Sequence, residues 1–113
     1  MSPITTHILD LSTGKPAGGI RVSLARVSDA RRETVGSGVT DADGRMRDLV
    51  PRADVLDAGV FELTFETGPY FEGLGVRAFH PRVTVTIEIT DPRQHYHVPL
   101  LVSPFGYTTY RGS

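Results

Sequence analysis

Four histidines stand at His7, His80, His95 and His97. Imidazole is the side chain whose ordinary pKa, about 6.5, suits proton transfer near neutrality. His95 and His97 flank Tyr96 in a strand-like run, so both imidazoles point to one face, about 7 Å apart at their Cα atoms, and Tyr96 to the other. A His-x-His pair is a weak signal on its own, and half-exposed sheet histidines with ordinary hydrogen bonds account for it. A metal reading is also open, because His7, His95 and His97 together resemble a catalytic zinc triad, although nothing else in the sequence fixes a third ligand.

Arg45 directly follows the turn Asp41-Ala42-Asp43-Gly44. An arginine at the mouth of a hairpin can hold a carbonyl or an oxyanion by bidentate donation; the plainer alternative is a surface cation balancing Asp41 and Asp43. The same turn echoes a calcium loop, but the third acidic position and the closing Glu are missing. The C-terminal run Val98-Pro99-Leu100-Leu101-Val102-Ser103-Pro104-Phe105-Gly106-Tyr107 continues through Thr108, Thr109, Tyr110, Arg111 and Gly112 to Ser113. Termini fray unless tied down. Apolar and aromatic residues so near the end predict a docked last strand, fixing the Ser113 hydroxyl and the chain's carboxylate in place; a disordered Arg-Gly-Ser tail is the alternative. A Gly-x-Ser-x-Gly elbow, a phosphate-binding glycine loop and a dinucleotide fingerprint are all absent.

Composition narrows the classes of function. With 12 basic and 13 acidic residues the net charge is -1, which argues against a protein that grips nucleic acid or anionic lipid. The chain has no Cys, which excludes disulfides, thiol nucleophiles, Cys-ligated zinc and iron–sulfur clusters. No apolar run approaches the ~18 residues of a membrane span, and the start MSPITTHILD lacks the pattern of a secretory signal. The expected location is the cytoplasm. At 113 residues, 39% of them hydrophobic, one domain spanning 1–113 is expected.

Those side chains must be positioned by strands, because the hydrophobic period is two over most of the length. Ile20, Val22 and Leu24 share a face; so do Phe61, Leu63 and Phe65, with Glu62, Thr64 and Glu66 outward; so do Val83, Val85, Ile87 and Ile89. Strands are expected near 4–10, 20–27, 33–40, 45–49, 59–66, 82–90, 95–103 and 105–111. Turns are expected at Thr13–Pro16, at the Asp43-Gly44 hairpin cue and at Asp91-Pro92, with Ser28–Arg32 a surface loop. One short helix is expected over Gly68–Leu74, with Thr67 as its cap and Pro69 in its first turn. Strands and turns at this spacing mean an all-β, two-sheet sandwich.

Three segments carry a resemblance to a known family: His7-Ile8-Leu9-Asp10 with Gly14, Pro16 and Ala17; Thr40 to Arg45; and His95-Tyr96-His97-Val98-Pro99-Leu100-Leu101 through Tyr110-Arg111-Gly112-Ser113. Together they resemble the 5-hydroxyisourate hydrolases, the enzymatic branch of the transthyretin-related proteins. The likeness covers essentially the whole chain and is least distinctive at Arg31–Glu33 and Pro51–Asp57. The terminal Tyr-Arg-Gly-Ser with the upstream His-Tyr-His is what sets the hydrolases apart from the hormone carrier. The resemblance implies a transthyretin (prealbumin)-like sandwich of eight strands and one short helix, assembled as a homotetramer, a dimer of dimers. It implies hydrolytic ring opening of 5-hydroxyisourate to 2-oxo-4-hydroxy-4-carboxy-5-ureidoimidazoline in urate catabolism, with no cofactor. It maps the active residues to His7, Arg45, His97 and Ser113, in a channel where two dimers meet. Tyr110 is implied to shape and narrow that channel, and His95 to have a supporting role. The expected chemistry is water attack on a cyclic amide, assisted by a neutral His97 paired with His7. Three other readings remain: a carrier of a small hydrophobic ligand, a metal-dependent hydrolase using His7, His95 and His97, and a purely structural sandwich.

Overall fold

A computed structural model describes residues 3–50 and 56–113. The loop expected at Pro51–Asp57 therefore lies, up to residue 55, outside the described residues. Along the chain come β1 (Ile4–Asp10), β2 (Lys15–Pro16), β3 (Arg21–Ser28), β4 (Arg31–Val39), β5 (Arg45–Met46), β6 (Gly59–Phe65), α1 (Thr67–Gly73), β7 (Val83–Ile89), β8 (Tyr96–Ser103) and β9 (Gly106–Thr109). One sheet runs β2-β1-β8-β9, with β5 also pairing β1; the other runs β4-β3-β6-β7. Among the described residues the two-sheet sandwich and one short helix are as the sequence led one to expect.

Alternation explains the packing. Val22, Leu24, Phe61, Leu63 and Phe65 on one sheet are fully buried against Ile4, Ile8 and Leu100 on the other. Because successive residues alternate faces, burying Ile4, Thr6, Ile8 and Asp10 turns Thr5, His7 and Leu9 to the outer face of β1. In β8 the buried Tyr96, Val98, Leu100 and Val102 likewise turn His97, Pro99 and Leu101 outward. β1 and β8 run parallel with Thr5 opposite His97 and His7 opposite Pro99. That register lays the chemistry-bearing side chains on one outer sheet face.

Several local expectations are corrected. Asp-Gly does not close a hairpin: β4 belongs to one sheet and β5 pairs β1 in the other. The turn instead carries the chain across the sandwich, closed by Gly44 N–H donating to Asp41 O at 2.9 Å. Gly44 is required there, since its φ is +75° and a Cβ would fall 2.3 Å from the Ile8 carbonyl oxygen. The expected strand at 45–49 is only the two residues of β5. Lys15–Pro16 forms a short strand against Leu9–Asp10 rather than a turn alone. Arg31 and Arg32 are paired in β4, so the polar stretch from Ser28 is a tight hairpin and not a loop. Thr67 does not cap α1: it is buried as the first helical residue, and the preceding Glu66 makes no side-chain cap bond.

Candidate functional site

β1 and β5 place His7 opposite Arg45, while β1 and β8 place Thr5 opposite His97. Around them a cavity of about 280 Å³ is lined by Thr5, Thr6, Arg45, Arg47, His95, His97 and Ser113. Four of the expected residues, Arg45, His95, His97 and Ser113, thus meet at one site. Every lining residue has a polar or charged side chain. A larger cavity of about 630 Å³ lies beside α1, between Glu66, Glu72 and Arg82, and contains none of them.

The tail is docked, though not by its apolar side chains. Phe105 and Tyr110 are exposed, at 77% and 56%. Backbone bonds and one stacked arginine do the work instead. β9 pairs β8 only as far as Leu100 opposite Thr109. The next β8 residue with its backbone directed to that side is Pro99, which has no N–H to give and whose carbonyl accepts from Thr109 Oγ1 at 2.7 Å. The chain therefore leaves the ladder over Tyr110 and Arg111 and rejoins it at Gly112, whose N–H donates to His97 O at 2.8 Å. Arg111 lies over the Tyr96 ring, 4.5 Å from its centroid, and donates to Gln94 Oε1 at 3.2 Å. Gly112 lets the backbone approach so closely, because a Cβ there would sit 2.8 Å from His97 Cδ2. The result brings Ser113 to the cavity beside His97.

His97 Nδ1 lies 2.8 Å from Thr5 Oγ1, and His95 Nε2 lies 3.1 Å from the same oxygen. His97 is half-buried and its pKa is lowered from 6.5, first by burial and then by the Arg45 charge and by coulombic coupling to the neighbouring His95 and His7. It is therefore a neutral imidazole at pH 7. Asp41 accepts from the backbone N–H groups of Asp43 and Arg45, at 2.9 and 3.0 Å, and so fixes the turn that presents Arg45. The plainer reading of Arg45, a cation balancing Asp41 and Asp43, is met in part: Arg47 is the cation within ion-pair distance of Asp41, at 3.9 Å, and the Arg45 charge also lowers the Asp41 pKa. Among the described residues no carboxylate pairs the Arg45 guanidinium.

His7 is adjacent to this group but turned aside. Its Nε2 lies 2.9 Å from the Asp43 carbonyl oxygen, which can only accept, so Nε2 carries a proton. Among the described residues no hydrogen bond joins His7 to His97, so the expected pairing is not a direct contact. Nor do the described residues place three His, Asp or Glu side chains together to hold a metal ion. Tyr110 lines a different cavity, of about 410 Å³, with Val85, Ile87, Val98 and Arg111. His80 lies apart from the site between Phe79 and Tyr107, edge-on to both at 4.9 and 5.2 Å. The sequence reading missed Thr5, Thr6 and Arg47. Alternation with His7 on β1 gave the signal for Thr5; Arg47, two residues beyond Arg45, carried a similar one.

A sandwich of these two sheets, with imidazoles and a guanidinium on the outer face of one, defines a transthyretin-type fold carrying a polar site. The chain belongs to the HIUase/Transthyretin family, whose model matches residues 4–112. It is 43% identical over 113 residues to a 5-hydroxyisourate hydrolase of Deinococcus radiodurans, covering 97% of this chain and 95% of that one. A probable 5-hydroxyisourate hydrolase of Schizosaccharomyces pombe is 39% identical over 113 residues, covering 97% and 90%. Among solved structures, Klebsiella pneumoniae 5-hydroxyisourate hydrolase superposes with a TM-score of 0.84 at 42% identity, over 97% of this chain and 98% of that one. Sea bream transthyretin in complex with thyroxine superposes with a TM-score of 0.91 at 32% identity, over 97% and 94%. The backbone is thus shared by a hydrolase and a thyroxine-bound transthyretin, and the side chains at the site must distinguish them.

Proposed function

We propose that this chain is a 5-hydroxyisourate hydrolase, opening the substrate ring at its cyclic amide in urate catabolism. The observation that carries the reading is the lining of the 280 Å³ cavity, polar at every position and holding a neutral His97 together with Arg45. A carrier of a hydrophobic ligand needs apolar walls with only a few polar groups.

In this mechanism His97 takes a proton from water through Nε2, since Nδ1 is engaged by Thr5. The water oxygen bonds to the amide carbonyl carbon. Arg45 holds the substrate oxygens and stabilises the oxyanion that forms. The carbon–nitrogen bond then breaks, and the leaving nitrogen takes the proton back from His97. The Ser113 hydroxyl binds the polar rim, His95 supports His97, and His7 stands next to the group with its Nε2 held by the Asp43 carbonyl. No cofactor is required, because the substrate is already an activated amide. The site's position on an outer sheet face favours a homotetramer, a dimer of dimers, in which two such faces enclose a channel narrowed by Tyr110. One domain over residues 1–113 and a cytoplasmic location belong to the same reading, and the absence of Cys agrees with that location.

The test generates 5-hydroxyisourate in place with urate oxidase and follows its ultraviolet absorbance. Catalytic amounts of the protein should hasten the decay. His97→Asn should lower kcat by about 100-fold or more, in the range of acid–base catalysis, with an unchanged assembly. Decay at the spontaneous rate with wild-type protein, or full turnover by His97→Asn, overturns the assignment.

A further inference from the structure

Two imidazoles of different exposure meet on one hydroxyl. Thr5 Oγ1 is 2.8 Å from His97 Nδ1 and 3.1 Å from His95 Nε2. Thr5 is 7% exposed, His97 is half-buried and His95 is exposed. A threonine hydroxyl has one proton and two acceptor lone pairs. It can donate to only one of these rings, so the other must donate to it. The two rings therefore cannot both accept, and their proton positions are linked through Thr5.

We propose that Thr5 relays a proton between His97 and His95, so that the positive charge created by the reaction sits on exposed His95 rather than on half-buried His97. The inference rests on the hydrolase reading and assigns that site a residue the family resemblance did not supply.

Before reaction, His97 donates Nδ1–H to Thr5, and Thr5 donates its hydroxyl proton to His95 Nε2. This arrangement leaves the Nε2 lone pair of His97 facing water as a base. When Nε2 takes the proton from water, Nδ1–H passes to Thr5 Oγ1 and the hydroxyl proton passes to His95 Nε2. His97 is then neutral with its proton on Nε2, which is the acid form needed by the leaving nitrogen, and His95 is the imidazolium. As the carbon–nitrogen bond breaks, Nε2–H goes to that nitrogen, Thr5 returns a proton to Nδ1, and His95 returns one to Thr5. Every proton is restored. The product carboxylic acid loses its own proton to solvent. The relay has an electrostatic reason: an imidazolium at half-buried His97 would be repelled by the Arg45 guanidinium, whereas one at exposed His95 is better hydrated.

Thr5→Val removes the hydroxyl while keeping the shape, Thr5→Ser restores the hydroxyl, and His95→Gln removes the terminal acceptor. Thr5→Val and His95→Gln should each lower kcat by about ten- to a hundredfold, at the low end of acid–base contributions, with KM within about twofold. Thr5→Ser should recover most of the loss. Because both residues serve one chain, the double variant should be no slower than the worse single variant. Added imidazole should partly rescue His95→Gln. In the free wild-type protein, nitrogen NMR should find the His97 proton on Nδ1, and in Thr5→Val the ring should lose that preference. A wild-type His97 protonated on Nε2 at rest, strictly multiplicative losses in the double variant, or full kcat in Thr5→Val overturns the relay. A wild-type protein that leaves 5-hydroxyisourate decay unchanged removes the hydrolase reading as well, so the two failures are told apart.

Discussion

A base that works on water must reach the reaction without its proton, and the surroundings of His97 provide for that. Burial and three nearby cationic or protonatable groups, Arg45, His95 and His7, all favour the neutral ring. The acid limb of the activity, where His97 gains its proton, should have its midpoint below the ordinary imidazole value of 6.5. Arg45→Gln removes one positive charge, so the His97 pKa should rise toward 6.5 in an NMR titration, and the acid limb of the residual activity should move to higher pH. The same change should cost about 100-fold in kcat through loss of an oxyanion donor. Arg45→Lys should keep the low pKa. A titration of His97 unmoved by Arg45→Gln would remove Arg45 from its surroundings. At this scale the sequence was informative wherever residue type alone points to chemistry. His95, His97, Arg45 and Ser113 are such residues, and they do meet. Alternation places Thr5 on the face of His7, but its role was not legible, because a threonine in a β-branched run reads as ordinary strand surface until His97 is known to lie across the sheet. The turning aside of His7 depends on the Asp43 carbonyl, a backbone group that composition cannot show.

Elements hold these side chains by register, and β1 holds the centre of it, between β8 on one edge and β2 and β5 on the other. Its inward end is Asp10, fully buried, which accepts from Ser12 N–H and Oγ–H and from Tyr70 O–H of α1 at 2.8 Å. Seven residues are too few for a helix to stand alone. Phe71 in the core and the Tyr70 bond to β1 therefore hold α1 in place. Burial raises the Asp10 pKa, but the hydrogen bonds from Ser12, Tyr70 and Thr13 outweigh it and leave it below 3.8. A lowered carboxylate pKa contributes stability that is complete above the unfolded value and fades as acid protonates the folded chain. Tyr70→Phe should thus cost about 1.5–3 kcal/mol at pH 7, as for a hydrogen bond to a charged group, and less below pH ~4. Chemical denaturation of both proteins at pH 7 and pH 3 reads the difference, and an equal gap at both would separate Tyr70 from the Asp10 charge. Tyr70 itself is pushed up to about 12, first by burial and then by Asp10, so its share persists past pH 10 and is lost on the way to 12. Strand positions were legible because one face of each is buried and the period of two is clear. The Asp-Gly turn misled because local turn chemistry is the same whether the chain folds back on its neighbour or crosses to the other sheet. Which occurs is decided by β1 being free to take β5.

For the whole molecule, the placement of the site bears on how the protein is assembled. The chemistry lies on the outer face of the β2-β1-β8-β9 sheet and not inside the sandwich, whose interior is filled by Phe61, Phe65, Phe71 and their neighbours. A single chain therefore offers its reacting groups to bulk water, where electrostatic stabilisation of an oxyanion is weak. A second copy laid over that face would exclude water and strengthen Arg45 without altering any bond within the chain. The edges point the same way. Among the described residues β7 pairs only β6, and β9 pairs only β8, so each sheet ends there in a strand with an open side, the kind of edge that invites another chain. Both edges border the 410 Å³ cavity that includes Val85, Ile87, Val98 and Tyr110. If a facing copy completes the site, turnover per chain must depend on concentration. Dilution through the dissociation range should lower kcat per chain in step with the loss of the four-chain species seen by sedimentation, and reconcentration should restore it. A site complete on one chain would instead show constant kcat per chain while the mass falls, which would put the whole of the catalysis on the outer face of a lone sandwich.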